Sequence, residues 1–169
     1  GWQVAMTTLL FERGAGDLQT PRAGGMRSES THNNNSGSLI ELARNMVRDG
    51  GAAVDDPLVR DRIMQMVIRE QALAANQRRS RVPALLDHPM RLLLQNKLLM
   101  SEIAQDNAEL ALEVAGASAS LYLGDDAAPA GGQWPMAYMN SFGFTIAAGT
   151  SEVQRNILGE RVLGLAKSK

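Results

Sequence analysis

Apolar residues recur at helical spacing in several separate stretches of this chain. In the first, from about Trp2 to Arg13, Trp2, Met6 and Leu9 share a stripe that Ala5 and Leu10 widen. It predicts a helix that stops at Gly14 and Gly16. From Leu18 to Ser38 the sequence becomes small and polar, LQTPRAGGMRSESTHNNNSGS. About twenty such residues exceed most ordered connections, so 18–38 is expected to be a mobile loop, with His32 a solvated residue inside it. A second helix is predicted from Ser38 or Leu39 to about Arg48, before Asp49-Gly50-Gly51.

A third helix is announced by Asp55 and Asp56 ahead of Pro57, acidic residues followed by a proline at the first helical position. Val59, Ile63, Met66, Val67, Leu73 and Ala74 build its apolar face, and Glu70 falls on that face. Glu70 is read as a satisfied core carboxylate, or else as a residue facing a partner. Arg78, Arg79 and Arg81 at the helix end complement its dipole. A further helix is predicted over about Pro89 to Ala115. It is apolar on more than one side (Met90, Leu92, Leu93, Leu94, Leu98, Leu99, Met100, Ile103), as a helix buried by several neighbours is. Ser118 to Gln133 reads as a second loop. The last helix is predicted to begin at TSEVQ, with Ser151 and Gln154 as a capping box, and to end near Leu165. With no strand pattern and no repeat, the fold class is all-α, an up-and-down four-helix bundle.

Composition narrows the chemistry. The chain has 169 residues, 44% hydrophobic, enough for a real core. It lacks Cys, which excludes disulfides, thiolate metal sites and a cysteine nucleophile. Two His, His32 and His88, leave little for a histidine metal site or a catalytic triad, and no metal is expected. The net charge of −1 gives no argument for nucleic acid or an anionic membrane as a general partner, and neither is expected. No apolar run approaches the roughly 20 residues of a membrane span, and the start, GWQVAMTTLL, is no signal peptide. These features lead to an expectation of a cytoplasmic domain. The absence of an initiator Met adds the expectation that it was cut from something longer.

There is no phosphate-binding loop, no dinucleotide fingerprint, no HExxH and no GxSxG. What remains is Glu12, in LLFERG, beside the apolar stripe of the first helix. A partly buried carboxylate has a raised pKa and can act as a general base near neutral pH. From the residues alone, an ordinary helix-flank glutamate is the reading that comes first. The second feature is AAGTSEVQRN, where Gly149 permits close approach and a helix start offers N–H groups to an anion.

The run TIAAGTSEVQRNILGERVLGLA, Thr145 to Ala166, closely resembles the GTxEIQRNIIxERxLGLP-like signature that ends the acyl-CoA dehydrogenase family. GWQVAMTTLLFERG resembles the first helix of the same C-terminal four-helix domain. The resemblance is good at both ends and loose between Gly14 and Ala117. It implies that residues 1–169 are that domain, without the family's N-terminal helical and middle β-domains. It implies a flavoenzyme that oxidises an acyl-CoA to the trans-2-enoyl-CoA, a carboxylate removing the α-proton while hydride passes to flavin N5. Many members carry the base as the Glu of YEGT; here that position is Ala148. A second branch carries it in the first helix, in an LER-like context, which points to Glu12, with Arg13 beside the substrate.

For FAD, the resemblance implies contacts from Thr150, Ser151 and Glu152. The family's Arg-x-x-Phe-Gly motif has no clean counterpart in ARNMVRDGGAAVDDP, and Gln-x-x-Gly-Gly-x-Gly appears as EVAGASA, where Glu113 and Gly116 match best. These departures resemble a divergent actinobacterial-type branch acting on branched, steroid-derived or other bulky acyl-CoAs, in fatty-acid or steroid side-chain β-oxidation. Members of it include heterotetramers with one degenerate subunit. Expected partners are an acyl-CoA, an electron-transfer flavoprotein or similar acceptor, and like or unlike subunits in a dimer or tetramer. Two alternatives stand beside the enzyme: a non-catalytic subunit of a heteromeric dehydrogenase, or a flavin-free helical interaction module. The isolated fragment is expected to be inactive.

Overall fold

The computed structural model describes residues 1–12, 35–79, 81–86 and 92–167, with only the backbone of 9–12, 86 and 92–94. The elements in order are α1 (Trp2–Glu12), α2 (Ser36–Asn45), β1 (Val47–Arg48), β2 (Gly51–Ala52), α3 (Pro57–Arg79), α4 (Pro83–Leu86), α5 (Leu92–Ala115), α6 (Gln133–Ile146) and α7 (Ser151–Arg161). Short 3-10 turns lie at Ala53–Asp55, Gly116–Ser120 and Pro129–Gly132. The chain divides into two units: residues 1–25, 72–101 and 145–169, and residues 26–71 and 102–144.

The second unit holds a continuous apolar core. Leu39, Leu42 and Ala43 of α2, Val59 and Ile63 of α3, Ala108, Leu110, Ala111 and Val114 of α5, and Trp134 and Ala137 of α6 are all buried there. Each helix contributes positions three or four apart, which is what lets one face of a helix be dry. Met66 and Val67 pack against this cluster at its edge.

α2 starts earlier than the apolar pattern predicts. Asn35 caps it, its side-chain oxygen accepting from Ser38 N at 3.0 Å. The loop expected over 18–38 therefore ends before Ser36; its residues 18–34, His32 among them, lie outside the described residues. α2 also stops at Asn45, short of Arg48. Residues 47–52 form a small antiparallel hairpin instead, Val47 opposite Ala52 and Arg48 opposite Gly51. Asp49 (φ 50°) and Gly50 (φ 83°) make its two-residue turn, the left-handed pair that such hairpins require.

α3 begins where expected. Asp56 Oδ1 accepts from Leu58 N at 2.8 Å, and Pro57 occupies the position whose N–H has no helical partner. Asp56 also pairs with Arg48 at 3.1 Å, tying the hairpin to the helix start. Within α5, the described side chains confirm burial on more than one side, although Met100 is exposed.

α6 is the helix that the apolar periodicity does not single out. QWPMAYMNSFGFTI mixes Pro, Gly and aromatics, and its Gly143 and Pro135 weaken any propensity argument. Tertiary burial decides it: Trp134, Ala137 and Ser141 form its inner face. The approach is tight. A Cβ on Gly132 (φ 73°), two residues before Trp134, would stand 2.4 Å from the backbone of Tyr122.

The first unit contains α1, the C-terminal part of α3, α4, the N-terminal part of α5, and α7. On α1 the expected stripe is only partly covered, with Met6 half-buried and Trp2 78% exposed. Leu98 and Ser101 of α5 and Gln154 of α7 are the buried ones among the described residues of this unit.

Candidate functional site

Of the two candidate regions, the start of α7 is fully described. Thr150 is its N-cap, Oγ1 accepting from Val153 N at 3.4 Å. This corrects the capping box expected from Ser151 and Gln154. Ser151 is already inside the helix, and Gln154 is buried, its Nε2 turned back to donate to the carbonyl of Ala148 at 2.7 Å. A buried amide satisfies the carbonyl it can reach, and the left-handed turn before the helix aims one at it.

That turn joins α6 to α7 through Ala147–Thr150. Ala148 and Gly149 both have positive φ, 58° and 105°. Lys97 of α5 donates from Nζ to the carbonyls of Gly149 at 2.7 Å and Thr145 at 3.3 Å. Glu152, in the first turn of α7, is exposed. Its own backbone N–H, then the Thr150 hydroxyl, hold its carboxyl below the usual glutamate range. The helix start thus presents an ionised acceptor beside N–H and hydroxyl groups.

The other motif candidates belong to the second unit. Glu113 is engaged by Arg62 of α3 through two charge-assisted bonds, one from Nη2 to Oε1 at 2.9 Å. Arg62 keeps the Glu113 carboxyl low, and Glu113 in turn raises the guanidinium. Gly116 (φ 56°) ends α5 in the left-handed conformation, with open space around the position a Cβ would take. Glu12 is the last residue of α1; its side chain, and all of Arg13, lie outside the described residues.

Glu70 resolves in favour of the core reading. Its carboxylate accepts from Ser36 N at 2.8 Å, from the Ser36 hydroxyl, and from Asn107 Nδ2 at 2.7 Å. It therefore supplies the orphan N–H of α2 from a residue 34 positions away. On the same helix Arg69 pairs with Asp106 of α5. An open cleft of about 600 Å³ in the second unit is lined by Glu41 and Asn45 of α2 and by Ser118 and Gln133 among others. Asn45 and Met46 of the ARNMVRDGGAAVDDP segment and Ser118 of EVAGASA line it, whereas Glu113, Gly116, Thr150, Ser151 and Glu152 do not.

Lys97 is the residue that motif reading missed. Its signal was visible: one cation inside the apolar run LLLQNKLLM, where a charge needs a partner.

The sequence pattern of the acyl-CoA dehydrogenase C-terminal domain matches residues 1–163. The chain belongs to the acyl-CoA dehydrogenase family. Acyl-CoA dehydrogenase IpdE1 of Mycolicibacterium smegmatis is 37% identical over 170 residues, covering 99% of this chain and 37% of the relative. Its namesake in Mycobacterium tuberculosis is 33% identical, covering 99% of this chain and 39% of the relative. The chain thus spans under two-fifths of the length of these acyl-CoA dehydrogenases. Both come from mycobacteria, in keeping with the actinobacterial-type branch.

Solved structures agree on the fold. The ChsE4–ChsE5 complex from Mycobacterium tuberculosis superposes with a TM-score of 0.68 at 23% identity, over 79% of this chain and 35% of that one. A variant of the Tcur3481–Tcur3483 steroid ACAD gives 0.67 at 19% identity, over 99% and 41%. The all-α fold and its assignment to the C-terminal domain of acyl-CoA dehydrogenases therefore stand. Among the described residues, no helix is long and apolar enough to cross a membrane.

Proposed function

We propose that this chain is the C-terminal domain of an FAD-dependent acyl-CoA dehydrogenase that converts an acyl-CoA to its trans-2-enoyl-CoA, with Glu12 as the base and Arg13 positioning the substrate. The observation that carries the proposal is the pairing of the two motif ends. Ala148 stands in the turn where many relatives carry the carboxylate, and Glu12 closes α1, where the other branch carries it. The α-proton of a thioester is weakly acidic, so its removal needs a desolvated carboxylate beside a hydrogen-bonded carbonyl.

FAD, when bound, supplies the hydride acceptor. The α7 start fits its polar adenosine-phosphate portion in chemical kind. Thr150 and Ser151 bring hydroxyls, and the first turn of α7 brings N–H donors. The ionised Glu152 accepts from hydroxyl or amino groups. Glu113 fits less well, because Arg62 already occupies its carboxylate; Gly116 offers open backbone.

The likeness to a steroid ACAD supports a bulky, steroid-derived acyl chain as substrate. The two-component ChsE4–ChsE5 neighbour supports assembly with like or unlike subunits. An electron-transfer flavoprotein or similar protein would take up the electrons, in the cytoplasm. The occupied Glu113 favours one second reading, a non-catalytic subunit of a heteromeric dehydrogenase.

The test is flavin bleaching by acyl-CoA in the full-length protein, followed anaerobically by absorbance. Glu12→Gln should abolish bleaching while the bound-flavin spectrum persists. Bleaching at the wild-type rate refutes Glu12 as base; indifference to the change, together with a co-purifying paralogue that bears its own base, establishes the second reading.

A further inference from the structure

We propose that Lys97 and Gln154 are positioning residues, which together fix the α6–α7 turn and thereby the α7 start that carries Thr150, Ser151 and Glu152. The inference deepens the reading above and rests on it for the identity of the group held there. Its structural half stands on the geometry of the turn.

Two consecutive residues of this turn have positive φ, and one of them, Ala148 at 58°, is not glycine. A left-handed alanine persists only where its surroundings over-determine it. Here two side chains from opposite sides of the sequence do so. Lys97 reaches from α5 and donates to Gly149 O at 2.7 Å and Thr145 O at 3.3 Å. Gln154, 1% exposed, reaches back from α7 and donates to Ala148 O at 2.7 Å. Carbonyls on both sides of the strained residue, and its own, are captured.

The residue types suit the task. Thr145 lies in the last turn of α6, where backbone carbonyls carry a partial negative charge that an ammonium offsets. A lysine also has three donors on a long stem, so one half-buried cation serves two carbonyls at once. Gln154 adds a neutral donor that leaves the dipole of α7 undisturbed. Gly149 N donates to Ile146 O at 3.2 Å and Gln154 N to Thr150 O at 2.9 Å, so the turn and the first turn of α7 are continuous in hydrogen bonding. Loss of either clamp should release Thr150 from its capping position without touching the core around Trp134.

The experiment uses Lys97→Met, which keeps the stem and removes the donors, with Gln154→Leu as the milder second variant and Lys97→Arg as the rescue. In the full-length protein, amide hydrogen exchange is followed by mass spectrometry over residues 145–158, and FAD affinity by flavin fluorescence. Lys97→Met and Gln154→Leu are each expected to speed exchange in this segment at least tenfold, with peptides from α2 unchanged. FAD affinity should fall about tenfold, and Lys97→Arg should restore both. Wild-type exchange in this segment in either variant overturns the inference, as does an acceleration that is uniform across the domain. Faster exchange with unchanged FAD affinity upholds the clamp and overturns the reading that the α7 start holds FAD.

Discussion

Replacing Gly132 by Ala tests the packing that creates α6. Two costs apply at this position. The first is conformational: at φ 73° an alanine is left-handed, worth about 1–2 kcal/mol. The second is steric. The new Cβ meets Tyr122 C at 2.4 Å, Leu123 N at 2.6 Å and Tyr122 O at 2.7 Å, all backbone atoms that cannot rotate away. Overpacking of this kind costs about 1–3 kcal/mol more. The neighbouring Gly131 separates the two terms, because its φ is 66° and nothing lies within 4 Å of its Cβ position. Gly131→Ala should therefore lose only the first amount, and Gly132→Ala about 2–5 kcal/mol in all. Urea unfolding of residues 1–169, followed by the fluorescence of the buried Trp134, measures both; the exposed Trp2 adds a constant background. Equal losses for the two variants would refute the steric account of this turn.

Three further outcomes follow from the same geometry. Glu70→Ala removes the acceptor shared by Ser36 and Asn107 and should cost about 2–3 kcal/mol, with faster amide exchange at the start of α2; Glu109→Ala, exposed on α5, should stay within about 0.5 kcal/mol. Arg62 holds the Glu113 carboxyl below its ordinary 4.5, so the stability from this pair is present above pH 4.5 and lost as pH falls through the lowered value. Because both side chains are about half exposed, Glu113→Gln should cost less than about 1 kcal/mol at pH 7, and the difference should vanish in acid; a pH-independent difference argues against the ion pair. Ala148→Gly should be neutral or stabilising and Ala148→Val should lose about 1–2 kcal/mol or more, since φ 58° suits glycine and penalises a branched Cβ; thermal melts of the two variants reverse this order if the turn is not left-handed.

Residue spacing along the chain determined most of the helices. Trp2–Glu12, the Asp56-Pro57 start of α3, the many-sided burial of α5 and the TSEVQ start of α7 all follow from local rules, because a helix closes its own hydrogen bonds and needs only one apolar face. The family was legible for a related reason. Its two motifs are short continuous stretches that hold the first and the last helix, so they can be read along the chain without knowledge of distant contacts.

What the sequence left open depends on contacts between residues far apart in the chain. Glu70 could be read as core or partner-facing until Ser36 and Asn107 were placed around it. α6 lacks a clean periodicity, so only the burial of Trp134, Ala137 and Ser141 makes it a helix. Gln154 looks like half of a capping box in one dimension, yet Thr150 caps the helix and Gln154 holds a left-handed carbonyl. Lys97 was visible as an isolated charge, but its partners, Thr145 and Gly149, lie about fifty residues away. Local hydrogen bonding and periodicity can be read along a chain, whereas the partner of a buried polar group is chosen by packing, which only the folded molecule fixes.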